Sequence, residues 1–133
     1  MNDLNFPWAN LPREGEAKII FVSHYYDLPR TGTAWYQDRR WYFALIEDEY
    51  SEDNFEKPTS ELKYGLWDMT PEQWAQETEI RLDFNRYVGG RFAGVPLRPE
   101  TEWSKYYNKW PREKFPKPDL DTRPAHVVQL SHG

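Results

Sequence analysis

The chain has 133 residues, with 22 acidic and 17 basic side chains, a formal net charge of −5 and no cysteine. That length suits one hydrophobic core. The negative balance disfavours bulk-charge binding to DNA, and the lack of cysteine excludes disulfides and thiol catalysis.

Residues 1–16 read as an irregular lead-in that Phe6, Trp8 and Leu11 can pin to a domain surface. No basic targeting region or long apolar run stands there. The aliphatic-rich stretch Ala17 to Val22 is far shorter than the roughly 20 residues a membrane span needs. A soluble, cytoplasmic protein is therefore expected. Ala17 to Tyr26 reads as a buried strand, short, apolar and rich in β-branched residues. Asp27 to Gly32 reads as a loop, with Pro29 and Gly32 as breakers. Thr33 to Gln37 is a second strand, and Asp38-Arg39 a two-residue turn without glycine. Arg40 to Glu47 is a third. Its alternation puts Trp41, Phe43 and Leu45 on one face and Tyr42, Ala44 and Ile46 on the other, with both faces at least partly covered.

After a polar loop, Glu61 to Asp68 alternates well enough for a fourth strand. Thr70-Pro71-Glu72-Gln73 then carries a capping hydroxyl, a proline at the first helical position and a Gln at the third. This predicts a helix to about Val88, ended by Gly89-Gly90. Its apolar stripe is Trp74, Ile80, Phe84, Tyr87 and Val88, with Glu77 and Arg81 intruding as an i, i+4 pair. Ala75 and Leu82 lie off that stripe and suggest a second contact surface. Residues 91–133 hold 6 of the 11 prolines. Pro99 to Lys109 fits a short helix, with Trp103, Tyr106, Tyr107 and Trp110 as an all-aromatic stripe. Residues 121–133 read as a flexible tail, within which His126 to Leu130 could add an edge strand.

Four strands followed by a helix predict an α+β domain over residues 1–120. Its simplest form is an antiparallel sheet of about four strands with one long helix packed on it. The aromatic, Pro-rich C-terminal segment would wrap an edge or the other face.

Three features could carry function. His24, Asp27 and Arg30 sit at a strand end and the following loop, as a base, its orienting carboxylate and an anion binder would. Tyr25, Tyr36 and Trp41 could line a ligand pocket beside them. The structural alternative is favoured, because no second histidine or nucleophile stands at a diagnostic spacing. Residues 47–61 hold seven acids and one base, a net −6. Within them Glu49, Glu52 and Asp53 could dock a basic partner, while the pattern of a calcium loop is missing. Residues 86–117 sum to +5 and interleave their bases with aromatics. There Trp103, Tyr106, Tyr107 and Trp110 could contact a protein or stack single-stranded bases. The ordinary role of such aromatics is to cover a core.

The expected function is stoichiometric binding of another protein, as an adaptor, inhibitor or immunity-type domain, with no cofactor and no metal. The alternatives are a small-ligand or hydrolytic site at His24, Asp27 and Arg30, and a single-strand nucleic-acid binder over residues 86–117. The last is disfavoured, and no membrane partner is expected.

Overall fold

The computed structural model describes residues 8, 11–26, 28–46, 62–90 and 95–131. The strands are β1 (Gly15–Tyr26), β2 (Leu28–Tyr36), β3 (Arg39–Leu45), β4 (Tyr64–Trp67) and β5 (His126–Ser131). Each of the first four pairs antiparallel with the next, and β4 pairs antiparallel with β5. The ring closes where β5 pairs with β1, and that pairing is parallel. It has to be: strand directions cannot alternate all the way round a ring of five, so one neighbouring pair must run the same way.

Inward positions follow from register, since directly paired residues share a face. Phe43 pairs with Leu66, Tyr64 with Val128, and Ala17 with Leu130. All six are buried, and all but Leu130 have no measurable exposure. Phe43 and Tyr64 meet edge to face at 5.5 Å, and the Tyr64 hydroxyl donates to the Pro29 carbonyl at 2.8 Å. The outward residues of β3 are buried as well, so every residue from Trp41 to Ile46 is covered, as its alternation suggested. On the outer side of β4, the Trp67 indole donates to the Thr122 carbonyl at 2.9 Å. The backbone N–H of Ala125 donates to the Leu66 carbonyl at 2.8 Å, which fixes the approach to β5.

The chain divides into two compact units. One is residues 1–68 with 118–133, and the other is residues 69–117. The second contains α1 (Pro71–Tyr87), α2 (Glu100–Lys109) and a short 3-10 turn, Arg112–Lys114. Helix α1 begins with the expected reciprocal cap. The Gln73 N–H donates to Thr70 Oγ1 at 3.2 Å, and the Thr70 N–H to Gln73 Oε1 at 2.9 Å. It ends where Gly89 adopts a φ of +68° and its N–H returns to the Phe84 carbonyl. Along α1, Glu77, Ile80 and Asp83 are buried. Arg81 Nε lies 3.2 Å from Glu77 Oε2, so the two intruding charges pair. Ala75 and Leu82 are exposed, and among the described residues nothing covers them to form the second contact surface expected there.

Asp83 ties the helices together. One carboxylate oxygen, Oδ2, accepts from the Trp110 indole N–H at 2.9 Å and from Lys109 Nζ at 2.8 Å. Phe84 and Tyr106 add an edge-to-face contact at 5.2 Å. The amide nitrogens of Gln73 and Gln76 donate to the carbonyls of Lys117 and Lys114, securing the 3-10 turn to α1.

The expected fold is overturned. The strands form a closed, mixed five-strand barrel, not an open antiparallel sheet of about four strands with one long helix on it. The α+β description goes with it. The missing information is the fifth strand. His126–Ser131 was expected inside a flexible tail, or at most as an edge strand. It pairs on both sides and leaves the ring no edge there. Two local readings also shift. Where the breakers Pro29 and Gly32 predict a loop over Asp27 to Gly32, β2 already starts at Leu28. Among the described residues, the part of β2 that holds Pro29 pairs on one side only, with β1, an edge-like place where a proline is tolerated. Gly32 is demanded by packing rather than by a turn: an added Cβ would run into the Phe21 carbonyl oxygen and come within 2.8 Å of the Phe43 ring. The β2–β3 turn is Gln37-Asp38, both at positive φ (51° and 65°), one residue earlier than expected.

Candidate functional site

Of the sequence candidates, His24 lies on β1 opposite Thr31, and Arg30 lies on β2; both are partly buried. Asp27, between them, is outside the described residues, as are Glu49, Glu52, Asp53 and the rest of the acidic stretch 47–61. The aromatic stripe is described in full, and it is largely turned inward. Tyr106 is 2% and Trp110 8% exposed. Trp103 is partly buried, with its indole donating to the Arg98 carbonyl at 2.9 Å. Tyr107 is exposed and meets Tyr106 edge to face at 5.0 Å. The stripe is therefore mainly the seam of the helical unit, with Asp83 buried against it. Burial holds the Tyr106 hydroxyl far above its usual ionisation range.

The barrel brings together residues that lie far apart in the chain. Tyr36 and Trp41, expected beside His24, meet His126 instead. The His126 ring stands edge-on to Tyr36 at 5.1 Å and to Trp41 at 5.0 Å. His126 pairs with inward-facing Leu66, and Trp41 with buried Ala34, so both point into one end of the barrel. Glu14 stands at the rim. Its Oε2 lies 3.0 Å from His126 Nδ1 and 3.3 Å from the Tyr36 hydroxyl. An ionised carboxylate only accepts, so both partners donate to it. Burial, then the Glu14 charge and its hydrogen bond, raise the Tyr36 pKa. The phenol therefore stays protonated at neutral pH. The Trp41 indole donates to the Tyr36 carbonyl at 3.0 Å, and the Arg39 guanidinium lies 4.2 Å from the Trp41 ring centroid. Arg39 is held in turn by Asp68 at 2.7 Å.

Chemically, this cluster is a plug. The Tyr36 O–H and the His126 Nδ1–H are both spent on the same Glu14 oxygen, which suits tying strands together better than moving a proton to a substrate.

Beside the plug lies an open hollow of about 510 Å³, lined by Glu16, Lys18, Trp35, Tyr36, Gln37, Asp38 and Ser131. All its walls belong to the barrel: the start of β1, the end of β2 with its turn, and the end of β5. Trp35 is 46% exposed there. A large indole left half in water on a rigid strand, beside charged groups of both signs, is a feature that folding alone does not require. It had a faint sequence signal. In the Ala34-Trp35-Tyr36 run, inward Ala34 forces Trp35 outward. That signal was obscured because β2 was read without its first five residues.

Among the described residues, no group of three or more His, Asp or Glu side chains could hold a metal ion. No described helix is long and apolar enough to cross a membrane. Compared with protein-family models, curated proteins and solved structures, the chain matches none.

Proposed function

We propose that the protein is a small soluble, cytoplasmic protein-binding domain that acts by stoichiometric surface contact, with the Trp35 hollow as the contact. The observation that carries this reading is the exposure of Trp35 in a hollow whose walls are strands of a closed barrel. A binding surface needs an anchor that can bury a large area without first losing much freedom. An indole held on a strand, with two rotatable bonds, is such an anchor. The rigidity of a closed ring keeps the cost of ordering low. The earlier candidates on the helical unit are less suited, since Tyr106 and Trp110 are already committed to its interior.

The test compares two exposed aromatic residues. Tagged wild-type protein is used to capture partners from lysate, and the complex is sized to establish a fixed stoichiometry. Trp35→Ala is expected to abolish capture, while Tyr107→Ala retains it. Loss with Tyr107→Ala and retention with Trp35→Ala would move the contact to the helical unit and refute this assignment.

A further inference from the structure

We infer that the Trp35 hollow takes an arginine side chain of a partner protein. This deepens the binding-domain reading above and rests on it.

The register places the groups. Lys18 is directly opposite Trp35, and Glu16, two residues earlier on β1, shares that outer face at the diagonal position. Ser131 pairs with Lys18 from the other side. Asp38 closes the rim from the β2–β3 turn. The hollow therefore offers two aromatic side chains, the exposed Trp35 indole and the part-buried Tyr36, with two carboxylates and one ammonium. Glu16 keeps part of its accepting capacity: Gln129 Nε2 reaches its Oε2 at 3.4 Å, and a carboxylate has about four lone-pair sites.

A guanidinium fits this set better than the alternatives. It is flat, so it stacks on the indole while its edge donates to carboxylates. It is weakly hydrated, so stripping its water costs less than for an ammonium. An aliphatic side chain would cover Trp35 but would strip water from Glu16 and Asp38 without replacing those hydrogen bonds. An acidic side chain would meet two like charges. Lys18 is the opposing element: its ammonium lines the same hollow and repels an incoming cation. Its removal should therefore strengthen binding, which a purely apolar hollow would not show.

The turn supports the assignment. Gln37 and Asp38 both occupy left-handed backbone conformations, where glycine would be free of strain. Keeping side chains there retains the Asp38 carboxylate and the Gln37 amide at the rim.

The experiment is an NMR titration of the whole protein, following the indole N–H signals. Trp35→Phe identifies the Trp35 signal by its disappearance. Three blocked peptides are added in turn: acetyl-Gly-Arg-Gly-amide, and the same peptide with lysine or norleucine at the centre. The arginine peptide is expected to shift the Trp35 signal saturably, more tightly than lysine and far more tightly than norleucine. Glu16→Gln and Asp38→Asn should each weaken it about threefold, Lys18→Met should tighten it by about the same factor, and added salt should weaken it, as for exposed charge pairs. The spread of the other amide signals reports whether each variant is folded.

Equal response to norleucine would overturn the arginine assignment but leave the binding-domain reading standing. No shift of Trp35 with any peptide, or a shift indifferent to Glu16 and Asp38, would also overturn it. A Trp35 shift that follows protein concentration alone would make a second copy of the chain the occupant and overturn the partner assigned here.

Discussion

Each of the two units fixes an aromatic side chain through a carboxylate that also holds a second group. In the helical unit Asp83 accepts from Trp110 and Lys109, and its side chain is only 7% exposed. At the barrel end Glu14 accepts from Tyr36 and His126 at similar distances, with 43% of its side chain in water. Similar bond lengths in different solvent carry different weight. A buried donor that loses its acceptor keeps its full desolvation penalty, whereas an exposed one turns to water. The barrel therefore rests on its packed interior, with Glu14 as a finishing tie. The helical unit, with few fully buried apolar residues on α1, rests heavily on Asp83.

That contrast can be broken in several places. The largest effect is expected from Phe43→Ala, which empties the centre of the barrel and should cost about 3–5 kcal/mol in urea unfolding. Asp83→Ala should come next, at about 2–3 kcal/mol, because it strands the Trp110 indole and removes a bond to a charged group. Near-equal losses from Asp83→Ala and Glu14→Gln would refute the contrast. The acid limb of stability sharpens it. Hydrogen bonds from Lys109 and Trp110 hold the Asp83 carboxyl below its ordinary value of 3.8. A carboxyl depressed in the folded state contributes fully above its unfolded value, and that contribution is lost as pH falls through the folded one. Wild-type stability should therefore drop below about pH 4, and Asp83→Asn should flatten that drop in thermal melts from pH 2 to 6. The smallest effect is expected from Glu14→Gln, at less than about 1 kcal/mol. It should be visible chiefly as a loosening of the His126 signals in NMR.

The sequence was most legible where interactions are local. Thr70 and Gln73 cap α1 within one turn, so residue types at fixed spacing were enough. The two covered faces of β3 could be read from alternation alone. What was hidden depends on distance along the chain. Glu14 and His126 are separated by 112 positions, and nothing near either one announces the other. With β5 read as tail, the ring could not close, and an open sheet with a helix on it was the natural result. The stripe from Trp103 to Trp110 failed differently. Spacing shows that four aromatics share a helix face, not whether that face looks in or out. Asp83 held the missing clue: an acid in line with Ile80 and Tyr87 needs a buried donor, and a tryptophan indole is a suitable one. The Trp35 hollow was illegible because it is assembled from β1, β2 and β5 together.

The position of the helical unit in the chain has an entropic consequence. Residues 69–117 are inserted between β4 and β5, so the last stave can join the ring only by closing a loop across the whole insert. The entropy lost in closing a flexible loop grows with its length, by about 0.6 kcal/mol for each doubling. An insert that folds first behaves as a shorter, stiffer tether and lowers that cost. A helical unit that is already folded therefore brings β5 to the ring at a smaller entropic cost. Asp83, which bonds α1 to Trp110 and Lys109, is one of the ties that shorten that tether.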